Sequence, residues 1–388
     1  MLRFLTAGES HGPTLTAIVE GFPAGLPLTA EEINLQLRRR QKGYGSGGRM
    51  QIEKDSVSFT GGVLNGQTTG APIALQIKNQ DWANWRERDV PPMTIPRPGH
   101  ADLTGAIKYG YRELRLALER ASARETAARV GVGALCQRLL AEFDVIIGGY
   151  VVQIGPVAAT LPDDHPYPER FAQAEANDVR CPDPATAEAM RACIREAMAA
   201  KLTLGGIFEV VALGLPPGLG SHVHWDRRLD ARLMAAVGSI QAIKGVEIGP
   251  AFENATRYGA QVHDEILVKD GRLRRHTNRA GGLEGGITTG QPVVVRAAMK
   301  PISTTLAPLR SVDLATGEPA TTRYERSDIC AVPRAAVVGE AMVAFVLADA
   351  LLEKLGGDSL AEMRPRFATL RRGALEELEM DNVQWRFR

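Results

Sequence analysis

The sequence predicts an α+β fold in which one sheet-plus-helices unit is used twice, and three self-matches within the chain carry that expectation. The run GGVLNGQTTGAPIAL, starting at Gly61, returns as GGLEGGITTGQPVVV, starting at Gly281. Upstream of each copy lies a second matching pair, AIVEGFPAGL ending at Leu26 and EVVALGLPPGL ending at Leu219, each followed by a helical pattern. A weaker third pair sets PRPGHADL (Pro96 to Leu103) against YERSDICA (Tyr324 to Ala331), each before a helix. Two repeats are too few for a solenoid, so the expected arrangement is a single domain over 1–388 with a pseudo-two-fold relation between its halves. The units run from about 1 to 142 and from about 203 to 356. Residues 143–202 read as an inserted segment and 357–388 as a peripheral tail.

The elements follow in order. Apolar runs at 15–19, 207–213 and 293–298 read as buried strands. Thr29 followed by Glu32 forms a capping box ahead of Ile33 and Leu37, and that helix ends in the basic run Arg38, Arg39, Arg40. MQIEK, from Met50, is strand-like. Residues 102–118 read as one helix, and Ser122 with Glu125 as a second capping box opening a helix through Val130 and Leu139. The last helix spans about 335–355 and stops at Gly356 and Gly357. No stretch approaches eighteen apolar residues, and the opening MLRFLTAGESHG has no apolar signal region, so a cytoplasmic protein is expected.

Composition narrows the function classes. With 44% hydrophobic and 23% charged residues, 40 Gly and 23 Pro, the chain reads as globular and rich in turns. Its formal net charge is +1, so no nucleic acid and no membrane is expected as a partner. Aromatics make up 5% and are not interleaved with the basic residues, which argues against RNA binding. Cys136, Cys181, Cys193 and Cys330 form no C-x-x-C pair, so reduced thiols are expected and a zinc ribbon is not.

Several loops hold residues suited to chemistry. GYGSGG, Gly43 to Gly48, matches a dinucleotide fingerprint literally, but it follows a helix and leads toward a strand, the reverse of the required context. Flanked by Arg38, Arg39, Arg40, Lys42 and Arg49, it is either an anion-binding loop or a solvated basic turn. RASARET, Arg120 to Thr126, places Arg120 and Arg124 beside the helix N-terminus at Ser122, a good phosphate cradle. KPISTT, from Lys300, offers an ammonium and hydroxyls in a turn, either for an anionic cofactor or as a plain loop. His11 and His100 sit in glycine-bounded loops, where a histidine serves proton transfer or is merely structural. His222 and His224 have a metal-ligand spacing if their segment is a strand, but no third ligand is recognisable, so no metal is expected. Asp328 would lie across the pseudo-two-fold from His100. A phosphotransferase using the arginines and the glycine loop is the rival enzyme class; it lacks a P-loop lysine motif.

Taken together, GESHG, the RRRQ-to-Arg49-Met50 loop, PRPGHAD, ERASARET, KPIS and ERSD resemble the chorismate synthase family along nearly the whole chain. That resemblance implies a lyase that eliminates phosphate from 5-enolpyruvylshikimate 3-phosphate, the last common step of the shikimate pathway to aromatic amino acids. It implies a β-α sandwich, a homotetramer and reduced FMN without net redox change. The chain matches the bacterial form with no appended flavin reductase domain. A separate flavin reductase would then act, with NADPH as an indirect electron source. Carried over by motif, the resemblance gives His11, His100 and Asp328 proton-transfer roles. It assigns Ser10, Arg40, Ser46, Arg49 and Arg124 to the substrate. For FMN it gives Arg120, Ala121, Ser122, Gln241, Ala242, Gly286, Lys300, Pro301, Ile302, Ser303, Thr304 and Arg326. Two positions depart from the family pattern: Ser46 stands where an arginine is common, and Ala121 where a serine is.

Overall fold

The computed structural model describes residues 1–47, 54–324 and 327–387. Its first sheet is built from β1 (Arg3–Ala7), β2 (Thr14–Glu20), β3 (Val57–Gly61) and β4 (Ile73–Lys78), in the order β1-β2-β4-β3 and antiparallel throughout. The second holds β5 (Ile146–Ile154), β6 (Gly206–Leu213), β7 (Ile243–Ile248) and β8 (Val293–Met299). Its order is β7-β8-β6-β5, again antiparallel, with the short strand Val157–Ala158 added at the β5 edge. Read from the β5 side, the four main strands repeat the succession of the first sheet. The turns repeat as well. Thr68 donates its hydroxyl to the Pro23 carbonyl (2.6 Å) and accepts from the Leu26 N–H (3.0 Å). Thr288 does the same with Pro216 (2.7 Å) and Leu219 (2.8 Å). One structural difference concerns the expected boundaries: β5 lies inside the segment read as an insertion, because a second sheet needs a partner for the outer edge of β6, as β1 serves β2.

The helices of seven or more residues pack against these sheets or against one another. They are α1 (Ala30–Gln41), α2 (Asp102–Tyr109), α3 (Arg115–Ala121), α4 (Thr126–Ala141), α5 (Tyr167–Glu175), α6 (Pro184–Ala199), α7 (Leu229–Gly238), α8 (Val332–Leu355) and α9 (Leu360–Ala368). The capping box of α1 forms as expected, and Ile33, Leu37 and Arg40 line its buried face. Residues 102–118 were expected as one helix; Gly110, at φ 69°, instead closes α2, and α3 follows after a turn. The Ser122 box does not form reciprocally. Ser122 caps a single 3-10 turn, Ala123–Glu125, before α4 begins.

Helix α8 begins three residues earlier than expected and is long and apolar enough, by length and composition, to cross a membrane. That differs from the reading that no stretch approached such apolarity. Of its 24 residues 18 are buried, so its apolar surface is covered by protein on nearly every side, the pattern of a core helix. It packs on α4, β5 and β6, while α4 packs on α1, β2 and β4. The segment 357–388, expected to be peripheral, opens with α9, whose Leu360 and Met363 are buried in the main core. α5 shields the outer face of the second sheet, where Ala174 and Phe171 meet Tyr150, Val211 and Val294. Cys136, Cys181 and Cys330 are buried, Cys193 is half-buried and all four are free thiols; burial pushes Cys330 up to about 12.

Gly133 of α4 fixes how closely α8 can approach. A Cβ added there would stand 2.2 Å from the Ala341 Cβ and 2.8 Å from the Ala341 carbonyl oxygen, with backbone on both sides. Gly133→Ala should therefore lower stability by about 1–3 kcal/mol or more, measured as a fall in the urea midpoint. Gly238→Ala, at an exposed helix end where the new methyl meets only ordinary contact, should change it by less than about 1 kcal/mol.

Candidate active site

The loop between β1 and β2 carries Ser10 and His11. It turns at Gly8, whose φ of +114° and position leave no room for a side chain: a Cβ would lie 2.4 Å from the Thr14 carbonyl oxygen. This turn lays the loop on the C-terminal end of α3. The Ser10 N–H donates to the Glu119 carbonyl (3.1 Å), and the His11 N–H to Glu119 Oε2 (2.7 Å). His11 Nδ1 meets Glu119 Oε1 at 2.7 Å, and the Trp85 ring stands against the imidazole with centroids 3.9 Å apart. Burial alone would raise the Glu119 pKa; the hydrogen bonds from His11 and its charge outweigh it and hold the carboxyl below its ordinary value.

The RASARET turn lies beside this loop, with Ser122 Oγ 3.0 Å from Ser10 Oγ. Glu125, the expected partner in a box, turns inward instead. It accepts from Thr6 Oγ1 (2.7 Å), Arg129 Nε (2.8 Å) and Gln241 Nε2 (3.3 Å), which tie α4 to β1 and to the second unit. Arg120 is half exposed and donates to Thr6 Oγ1 (2.7 Å) and the Thr6 carbonyl (3.0 Å). Arg124 and Arg40 are buried together. Arg124 Nη1 donates to both oxygens of Asp55 at 2.7 Å, and Arg40 Nη1 lies 3.5 Å from Asp55 Oδ2. Arg40 also donates to Thr126 Oγ1 (2.9 Å) and the Ala123 carbonyl (3.0 Å). Two fixed guanidiniums side by side are what recognition of phosphate or carboxylate requires.

His100 belongs to a second imidazole–carboxylate pair. Its Nδ1 is 2.6 Å from Asp102 Oδ1, and Asp102 is fully buried at the start of α2. Burial would raise the Asp102 pKa, but hydrogen bonds from His100 and Arg97 and the Arg97 charge hold it well below the carboxylate range. The arm carrying His100 is stitched to the Lys300–Thr304 loop. Ser303 Oγ donates to the Gly99 carbonyl (2.8 Å), and Arg97 Nη1 to Thr304 Oγ1 (3.1 Å). Within that loop Lys300 Nζ donates to Ser303 Oγ (3.2 Å), and the Lys300 N–H to the Ala242 carbonyl (2.9 Å). Burial, with the nearby Lys244 charge, lowers the Lys300 pKa. Ala242 sits at φ 67°, where a left-handed turn aims the chain from Gln241 toward the loop.

Asp328 meets the glycine loop. Its Oδ1 accepts from the Gly47 N–H (2.7 Å) and its Oδ2 from Arg334 Nη1 (2.6 Å). These partners differ from those of His100, and Asp328 precedes α8 as Ser122 precedes α4, so the expected pairing of the His100 and Asp328 arms does not hold in element order. Ser46 donates to the Gly43 carbonyl (2.5 Å). Gly286 is in the hairpin turn of the second unit, where its carbonyl accepts from the Leu229 N–H (3.0 Å) and a Cβ would strike Arg228 at 2.8 Å. None of these contacts joins it to the cluster. Arg49, Arg326 and nearly all of MQIEK lie outside the described residues. His222 and His224 are in an exposed turn, with His224 paired to Asp226 (2.7 Å), and no group of three potential metal ligands occurs among the described residues.

Sequence reasoning missed the carboxylates and cations that orient the expected residues: Glu119, Asp102, Arg97, Asp55 and Glu125. Glu119 and Asp102 stand one or two positions from assigned residues in their motifs, which is a usable signal. Asp55 carries none. Only folding brings it to Arg124.

The donor set suits a phosphorylated flavin. Arg120, Lys300, Ser303 and the Ser122 turn offer cationic and hydroxyl donors to a phosphate, and Gln241 Oε1 is buried without a partner among the described residues, open to a ligand N–H.

Two outcomes follow from the charges. Asp55→Ala should cost about 3–5 kcal/mol, read by urea unfolding, because it leaves two buried guanidiniums without their shared carboxylate. Glu119 and Asp102 have lowered folded-state pKa values, so the stability they contribute is full above about pH 4 and is lost as pH falls through those lowered values. Glu119→Gln should therefore flatten the acid limb of the urea midpoint plotted against pH, leaving the neutral region parallel to the parent.

Comparison with known proteins agrees with the motifs. Residues 2–352 match the family model for chorismate synthase. Chorismate synthase of Aquifex aeolicus (strain VF5) is 57% identical over 383 residues, covering 94% of this chain and 96% of that protein. The Trichlorobacter lovleyi protein of the same name is also 57% identical, over 380 residues, covering 94% and 97%. A solved structure titled "Crystal Structure of Chorismate Synthase" superposes with a TM-score of 0.78 at 50% identity, covering 95% of this chain and 96% of the other. Likeness of this extent, in sequence and in fold together, shows that the chain belongs to the chorismate synthase family.

Proposed function

We propose that this chain forms chorismate by eliminating phosphate from 5-enolpyruvylshikimate 3-phosphate, with reduced FMN bound and not consumed. The supporting observation is a continuous run of contacts through the assigned residues. Ser10 meets Ser122; Glu125, three residues on, meets Gln241; Ala242 meets Lys300; Ser303 meets the arm of His100. This run links the Ser10 loop, the Ser122 turn, the Lys300–Thr304 loop and the His100 arm, which supports reading them as parts of one site.

The reaction removes a hydrogen from C6, next to no carbonyl, and expels phosphate from C3, so side-chain acids and bases alone have little to act on. Reduced flavin, when bound, supplies the electron density that the side chains lack. Arg40, Arg124 and Arg49, together with Ser10, bind and orient the phosphate and carboxylates of the substrate. Ser46 adds a hydroxyl where relatives commonly place an arginine. His11 holds a proton toward the flavin, its ring set by Glu119 and Trp85, and His100 holds one for the departing phosphate. Asp328 assists removal of the C6 proton. Arg120, Ala121, Ser122, Gln241, Ala242 and Lys300 to Thr304 hold the flavin, with Arg326 and Gly286 as further contacts. Atoms balance as loss of phosphate and one proton, with no net oxidation. The same reading gives a pseudo-two-fold relation between the sheets, a homotetramer, a cytoplasmic location and a separate flavin reductase drawing on NADPH.

Under strict anaerobiosis with reduced FMN, chorismate and phosphate should form in equal amounts that greatly exceed the flavin supplied, and oxidised FMN should support nothing. One oxidised flavin per product would overturn the elimination. His11→Ala and His100→Ala should each lower turnover about 10- to 1000-fold, as loss of a positioned proton donor does.

A further inference from the structure

Arg97 is buried and has no place in the assignments above, yet it makes more hydrogen bonds around His100 than any other side chain described there. Its backbone N–H (3.1 Å) and Nε (2.8 Å) both donate to Asp102 Oδ2, and its Nη2 donates to Oδ1 (2.9 Å). The same Oδ1 faces His100 Nδ1 at 2.6 Å. Arg97 Nη2 also stands 3.1 Å from Nδ1 and 3.4 Å from Nε2, so the guanidinium lies against the imidazole. A guanidinium cannot accept a hydrogen bond and an ionised carboxylate cannot donate one. The proton at Nδ1 is therefore directed to Asp102, which leaves Nε2 as the atom that exchanges a proton with a reactant. The remaining arm of Arg97, Nη1, reaches Thr304 Oγ1 (3.1 Å), and Thr304 is itself buried in the candidate flavin loop. Ser303 of that loop grips the Gly99 carbonyl next to His100 (2.8 Å).

We propose that Arg97 is a positioning residue: it fixes the tautomer and orientation of His100 through Asp102, and through Thr304 it ties that setting to the Lys300–Thr304 loop. This rests on the reading of His100 as the proton donor and of the loop as part of the flavin site. One planar fork serves both partners. If the loop shifts, Nη1 loses its acceptor, the guanidinium rotates, and the Asp102 carboxylate no longer presents the same edge to the imidazole. Lysine, a point charge without the fork, cannot hold Asp102 and Thr304 together.

The test uses the full chain labelled with [15N]histidine, without flavin and after addition of oxidised FMN, with the His100 signal identified by its loss in His100→Asn. In its neutral form the parent His100 ring should be protonated at Nδ1 in both states. Arg97→Lys should show a mixture of tautomers and a kcat about 10- to 100-fold lower, with the KM for the phosphate ester changed far less, as misplacement of a catalytic group does. Thr304→Val, which keeps the shape and removes the acceptor, should move both readouts in the same direction, and Thr304→Ser should restore them. Should Arg97→Lys fail to fold, the two Thr304 variants carry the test alone. Parent-like tautomers in Arg97→Lys and in Thr304→Val would overturn the proposal. Full activity of His100→Ala would instead remove the reading of His100 on which it rests.

Discussion

The approach of α4 to α8 at Gly133 and Ala341 is the contact on which the rest of the molecule depends. Each helix lies on its own sheet, so the distance between them sets the distance between the two halves. A methyl at 133 would overlap the backbone of the facing helix, and only glycine allows the approach. Other small residues serve the same end: a Cβ at Gly339 would strike the Phe208 ring at 2.6 Å, and one at Gly149 would meet the Glu340 carboxylate at 3.0 Å. Because the layers are so close, loops from the first unit and from the second reach one another. Gln241 then meets Glu125, and the Lys300–Thr304 loop meets the His100 arm. A separation greater by even a methyl group would open those contacts.

Close packing also forces charge into the interior, and the molecule handles it in one recurring way. Three of the buried carboxylates are each shared by two cationic or potentially cationic partners. Asp102 serves Arg97 and His100, and Asp55 serves Arg124 and Arg40. Glu340, wholly buried in the middle of α8, serves Arg39 (2.6 Å) and Arg180 (3.1 Å), with Glu175 completing the group. An isolated charge at such depth is costly, and a pair is only roughly balanced against its desolvation. Such groups contribute direction more than stability, since a planar guanidinium that must satisfy two acceptors has little freedom to turn. Around Asp102 and Asp55 that rigidity falls on residues that would meet the substrate. Around Glu340 it falls on α1, the helix that leads into the glycine loop.

The glycine loop is held by contacts at three of its described residues. Gly47 is bound to Asp328, the Tyr44 N–H to the Asp178 carbonyl (2.9 Å), and the Gly45 carbonyl accepts from the Ile329 N–H (2.8 Å). The glycine loop is therefore fastened both to the ERSD arm and to the excursion between β5 and β6. That excursion has two roles in the structure: α5 covers the outer face of the second sheet, and the turn at Asp178 helps hold the loop that follows α1.

Local chemistry was legible in the sequence. The α1 capping box, the buried strands and the glycine stops after α8 follow from residue type and spacing, because caps and periodicity depend on neighbours a few positions apart. The repeated TTG turns were legible through their recurrence, although their threonine hydroxyls close on carbonyls 45 and 72 positions upstream. The candidate histidines and arginines were reached through motifs, whose residues lie close together in sequence. What the sequence did not disclose depends on contacts far apart along the chain. Nothing local marks Asp55 as the partner of Arg124 or Arg97 as the link to Thr304, 207 positions away. β5 lies outside the second unit as read from sequence because it shares no recognisable pattern with β1; its place is set by the strand it pairs with. The apolarity of helix α8 is present in the sequence itself; only the fold shows that protein covers it. The sequence by itself determined which side chains can do chemistry and which short elements carry them. Tertiary structure decided which carboxylate each cation faces, because that pairing is set by the distance between layers, and the distance is set by side-chain volume at a crossing that no local pattern encodes.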